Sequence, residues 1–122
     1  MPEDRPEQAY QAGRHYEQTY RGCAQCAIAA LQDTFGLRDD AVFRAATGLA
    51  GGGGLASDGS CGAYAGSVMF LGQVLGRERD DFADPGEVRF QTSQMARELR
   101  ERFIERFGTV TCRDIQTKTM GR

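Results

Sequence analysis

Apolar positions recur at helical spacing in several separate stretches, and no two-residue alternation persists, so the chain reads as all-α. Between residues 6 and 20, Tyr10, Gly13, Tyr16 and Tyr20 share one face of a helix rich in Glu, Gln, Ala and Arg. Pro6 suits the first turn of that helix, where a missing N–H costs nothing. Arg21-Gly22 ends it. A second helix is expected from Cys23 to Phe35, closed by Gly36 as a left-handed cap. It is mostly Ala, Ile and Leu with few charges, and so reads as the central, most buried helix.

Asp39-Asp40 is placed to cap a short third helix from Ala41 to Thr47 by accepting its orphan amide hydrogens. Residues 48–59 hold six of the chain's 16 glycines, including Gly51-Gly52-Gly53-Gly54, and read as the one long irregular connection. A fourth helix is expected from Cys61 or Gly62 to Leu75. Its Gly62, Ala65, Gly66 and Gly72 would let another backbone or a cofactor come close. Asp84-Pro85-Gly86 signals a turn. A fifth helix follows from Glu87 to Phe107, with Phe90, Met95, Leu99, Phe103 and Phe107 at helical spacing and Gly108 as its cap. A last helical turn begins at Cys112. These elements predict a compact bundle of about five helices, with a Gly-rich loop before the fourth.

At 122 residues the chain is expected to be a single domain, with residues 1–5 flexible. Fifteen basic and 17 acidic side chains nearly cancel. That balance gives no basic face for nucleic acid. The longest strongly apolar stretch, Ser67 to Leu75, is too short to cross a bilayer, which takes about 20 residues. No apolar core follows the charged N-terminus, so no secretory signal is read and a cytoplasmic location is expected.

Chemistry can come from few places. There is one histidine, His15, and it reads as a surface or boundary residue. The four cysteines, Cys23, Cys26, Cys61 and Cys112, each stand at a helix start or junction. In a reducing compartment, grouped cysteines point to metal or redox work more than to permanent disulfides. A helix N-terminus favours the thiolate form through its amides and dipole, so Cys23-x-x-Cys26 could attack a disulfide or bind a metal. Neither the strand-helix context of a thioredoxin nor the histidine of a covalent haem motif accompanies it. Amides of the glycine loop could form an anion nest or bond to cluster sulfurs, with Gly52, Gly53, Gly54 and Gly62 as candidates. No Gly-Lys-Ser/Thr ending is present, which argues against a phosphate loop. Tyr64, three residues past Cys61, could face a cofactor or pack in the core.

Cys23-Ala24-Gln25, Ala46-Thr47-Gly48 with glycines to Gly54, and Cys61-Gly62-Ala63-x-x-Gly66 form part of a larger pattern. Val68-Met69, Leu71-Gly72, Phe103 to Phe107-Gly108 and Cys112-Arg113-Asp114 complete it. Together they resemble the C_GCAxxG_C_C family of small redox-active proteins, to which a domain accompanying haem in split-Soret cytochromes is related. The resemblance carries over to Cys23, Cys61 and Cys112 only. The family pattern has a further C-terminal cysteine. None follows Cys112 here, so either Cys26 completes a four-thiol set or the site has three thiols and an open position.

The resulting expectation is electron transfer or redox sensing through an iron-sulfur cluster held by Cys23, Cys26, Cys61 and Cys112, since thiolates are the usual holders of such clusters. A second reading is a metal-free dithiol oxidoreductase using Cys23 and Cys61. A third is a structural module with zinc or buried thiols that docks on a larger enzyme. A redox partner protein and self-association are expected, with no nucleic-acid partner and no membrane insertion. Whether the chain is itself an enzyme stays open at this level.

Overall fold

A computed structural model describes residues 4–120, with side chains described to residue 117. Among these residues there are six α-helices and no strand: α1 (Arg5–Thr19), α2 (Cys23–Phe35), α3 (Asp40–Ala45), α4 (Gly62–Leu75), α5 (Val88–Phe107) and α6 (Cys112–Met120). The all-α expectation holds. The final segment is a helix in its own right, which makes six rather than five. Residues 1–3 of the stretch expected to be flexible lie outside the described residues, and Arg5 already belongs to α1.

The caps set most of these boundaries. Gly36 is left-handed (φ 67°) and ends α2. The Asp39 side chain accepts from the Ala41 and Val42 amides and starts α3. Asp84 accepts from the Val88 and Arg89 amides at 2.9 Å each and starts α5. Those amides, Arg89's first, hold the Asp84 carboxyl below its usual range.

Helix α2 is the centre of the fold, with α4 packed most closely against it and α1 on another side. Ala24, Ile28 and Ala46 are fully or almost fully buried, and Val42, Phe43, Leu49 and Met69 close around them. The α2–α4 approach is set by two glycines. A Cβ on Gly66 would overlap the Ala24 carbonyl oxygen and lie 3.1 Å from Ala24 Cα. A Cβ on Gly62 would overlap Cys23 Sγ and lie 2.8 Å from the Ala24 nitrogen. Small residues therefore do bring another backbone close, and that backbone is α2's first turn.

Two apolar faces stay largely uncovered. The aromatic face of α1 is not core: Tyr10 is 59% exposed and Tyr20 73%. Gly13, opposite Ala30, makes the α1–α2 approach instead. Helix α5 buries no residue fully, and Phe90 and Met95 stay more than two-fifths exposed, because α5 meets the bundle mainly through α4.

Overpacking at Gly66 should be costly. Gly66→Ala is expected to destabilise the fold by about 1–3 kcal/mol. Gly72→Ala meets open space mid-helix and should stabilise it by about 0.5–1 kcal/mol. Thermal unfolding of both variants by circular dichroism checks this; equal shifts would contradict so close a crossing.

Candidate functional site

Cys23 is the first residue of α2, entered through left-handed Gly22 (φ 90°). Its Sγ lies over Gly62 at the start of α4. The Gly51 N–H donates to that sulfur at 3.5 Å, within the range for a sulfur acceptor. The amide comes from a 3₁₀ turn over Thr47–Gly52 that kinks at Ala50 and Gly51. From Gly51 to Gly54 every φ is positive, a run that only glycine adopts without strain. The turn is packed against the site: Gly52 is buried, and a Cβ there would sit 3.0 Å from Cys112 Cβ.

Cys61 is the N-cap residue of α4. An isolated antiparallel bridge, Ser60 with Thr111, ties its strand-like stub to the stub before α6. The Cys61 N–H donates to the Val110 carbonyl at 2.6 Å, and the Cys112 N–H to the Gly59 carbonyl at 2.8 Å. The Arg113 N–H donates to the Ser57 carbonyl at 2.8 Å. Main-chain bonds thus anchor the end of the glycine loop and the start of α6 to each other.

Three thiols are brought together this way. Burial pushes the Cys112 thiol up, and the neighbouring Cys23 and Cys61 push it further, opposed by a hydrogen bond with Ser57. Cys61 and Cys112 each follow a residue of the bridge, so across an antiparallel pair they are diagonal neighbours on one face. That places them about 7–8 Å apart. Cys23 and Cys61 are half-exposed, whereas Cys112 is buried.

Cys26 is not brought into this group. One turn on from Cys23, its thiol donates to the Arg21 carbonyl at 3.3 Å, on the α1 side of α2. Burial first, then a hydrogen bond to Glu17 and the charges of Glu17 and Cys23, push it up to about 12. It is a protonated thiol at neutral pH. Among the described residues there is no group of three or more His, Cys, Asp or Glu side chains that could hold a metal ion. The donor set as placed does not fit a cluster or zinc site held by all four cysteines.

The other candidates divide. Gly62 lies directly under Cys23 Sγ, and Gly52 lies against Cys112 Cβ. Gly53 and Gly54 have nothing within 4 Å of a Cβ position. Tyr64 donates its hydroxyl to the Ala96 carbonyl at 3.1 Å and meets Phe103 edge-on, so it joins α4 to α5. His15 is exposed beside Tyr16. Gly51, which supplies the amide to Cys23, is one of four consecutive glycines and was not singled out as a candidate. The signal was available only as its place at the kink, which sequence does not show.

A family model described as "Putative redox-active protein (C_GCAxxG_C_C)" matches residues 22–122. The chain belongs to this family. No curated protein and no solved structure matches it. The matched range takes in all four cysteines and both glycines of the α2–α4 crossing, and begins after α1.

The thiols should differ in reactivity. Iodoacetamide at pH 8 should modify half-exposed Cys23 and Cys61 first, because the thiolate is the nucleophile and both can be reached. Cys26, held protonated, should gain reactivity only as pH rises towards 12. Peptide mass mapping over time checks the order; early labelling of Cys26 would contradict its placement.

Proposed function

We propose that this protein carries electrons through reversible dithiol–disulfide interconversion of Cys23 and Cys61. The observation that carries the reading is the partition of the thiols. Cys23, whose Sγ lies against Gly62, and Cys61, the residue before Gly62, are half-buried at the α2–α4 crossing, Cys112 is buried near both, and Cys26 turns to the Arg21 carbonyl. The Gly51 amide donates to Cys23 Sγ, and Cys23 stands at the first turn of α2. Cys23 is accordingly the attacking thiolate.

The step balances without a further reagent. Cys23 thiolate attacks a disulfide of a redox partner, forming a mixed disulfide and releasing one thiolate, which takes up a proton. Cys61 loses its proton and attacks Cys23 Sγ, giving the Cys23–Cys61 disulfide and releasing the partner's second thiol. Two electrons pass to the partner, and the reverse sequence returns them. Cys112 backs the pair. Membership of a redox-active family supports chemistry of this kind. No described helix is long and apolar enough to cross a membrane, and a partner met in solution suits such exchange.

A second reading keeps an iron-sulfur centre on Cys23, Cys61 and Cys112 alone. Their arrival from three separate segments and the amide on Cys23 Sγ favour it. The absence of a ligand group among the described residues counts against it.

Oxidation with a small-molecule disulfide, followed by peptide mapping, tests the proposal. A Cys23–Cys61 disulfide is expected, with Cys26 and Cys112 still alkylatable after unfolding. Cys112→Ser should retain it, and Cys23→Ser or Cys61→Ser should lose it. Loss of no thiols, or a Cys23–Cys26 product alone, would overturn the assignment.

A further inference from the structure

On the other side of α2's first turns lies a cleft of about 380 Å³, walled by α1, α2 and the segment running into α3. This size is within the range of small-molecule sites. Its lining shares Cys26, but not Cys23, Cys61 or Cys112, with the thiol region. The dithiol chemistry leaves it unused.

Three features of the cleft point to one kind of occupant. Aromatic rings flank it. Tyr16 and Tyr20, 6.3 Å apart between ring centres, stand on the α1 wall, and Phe43 stands on the opposite one. Tyr20 is 73% exposed, which a side chain serving only the core would not be. An acceptor also lies within the cleft. Gln32 is 3% exposed, and its two amide hydrogens go to the Asp39 carbonyl at 3.0 Å and Gln73 Oε1 at 2.8 Å. Among the described residues no donor reaches Gln32 Oε1, although no buried polar atom is left without a partner, so that oxygen opens to the cleft. Finally, one cation is unpaired. Arg38 is held by Asp40 at 2.8 Å and Asp33 accepts from Tyr16, while Arg21 has no acidic partner among the described residues. Arg21 itself has a positive φ of 65°, a strained conformation for a non-glycine residue.

We propose that this cleft binds a heteroaromatic anion: a flat ring with an N–H donor and a phosphate or carboxylate substituent. The ring lies against Tyr16, Tyr20 and Phe43, an arrangement aromatic side chains favour. Its N–H donates to Gln32 Oε1, and its anionic group is taken by Arg21, the group suited to both phosphate and carboxylate. Cys26 sits beside the bound ring and is covered by it. The site is separate from the Cys23–Cys61 pair, so neither proposal depends on the other.

Titrating the full-length protein with flavin mononucleotide, adenosine monophosphate and indole-3-acetate tests this, with flavin and tyrosine fluorescence as readouts. At least one probe should bind saturably. Charge-assisted bonds contribute about 1.5–3 kcal/mol, so Arg21→Glu should weaken binding about tenfold or more. Tyr20→Ala should also weaken it, and Arg100→Glu on exposed α5 should not. The bound probe should slow alkylation of Cys26 at high pH and leave Cys61 unchanged, which a folding defect would not reproduce. No saturable binding of any probe, equal affinity in Arg21→Glu, or protection of Cys61 instead of Cys26 would overturn the assignment.

Discussion

The structure depends on one close approach, that of α4's first turn to the first turn of α2. Gly62 and Gly66 leave no room for side chains because Cys23 Sγ and the Ala24 backbone occupy that space. The crossing buries Ala24 and sets Cys23 Sγ against Gly62, the residue that follows Cys61. Stability and chemistry therefore share a single constraint. A methyl group at Gly62 would separate the thiols, and one at Gly66 would push the helices apart.

The glycine run serves the same geometry from the other side. Its left-handed turn aims the Gly51 amide at Cys23 and leaves Gly52 buried beneath Cys112. The Ser60–Thr111 bridge then holds the starts of α4 and α6 side by side. Main-chain bonds, which cost little entropy once the turn is formed, position three thiols, and none of the ion pairs among the described residues involves the segments that carry them. The three ion pairs described are all surface pairs, a class that contributes little.

Much of this was legible from residues. Gly36 and Asp39 marked the end of α2 and the start of α3, because left-handed caps and side-chain acceptors are local demands. The small residues of α4 announced a close approach, and low charge announced α2 as the centre. What was not legible is what packing decides. The spacing Cys23-x-x-Cys26 puts the thiols one turn apart on a helix, but it does not say which neighbour each meets. With α1 crossing beside Cys26 and α4 beside Cys23, the pair splits between two environments. Tyr64 could have faced either way until Ala96 and Phe103 fixed it to α5. The aromatic faces of α1 and α5 exceed what this bundle can cover, since among the described residues Ile28 alone is a fully buried large side chain.

The central claim is that the thiol site works as a metal-free pair. Iron, sulfide and zinc analysis of anaerobically purified protein, with its visible spectrum, tests that most directly. The account predicts folded, colourless protein with metal far below one atom per chain. Iron and sulfide near stoichiometry, lost together in Cys23→Ser, would contradict it.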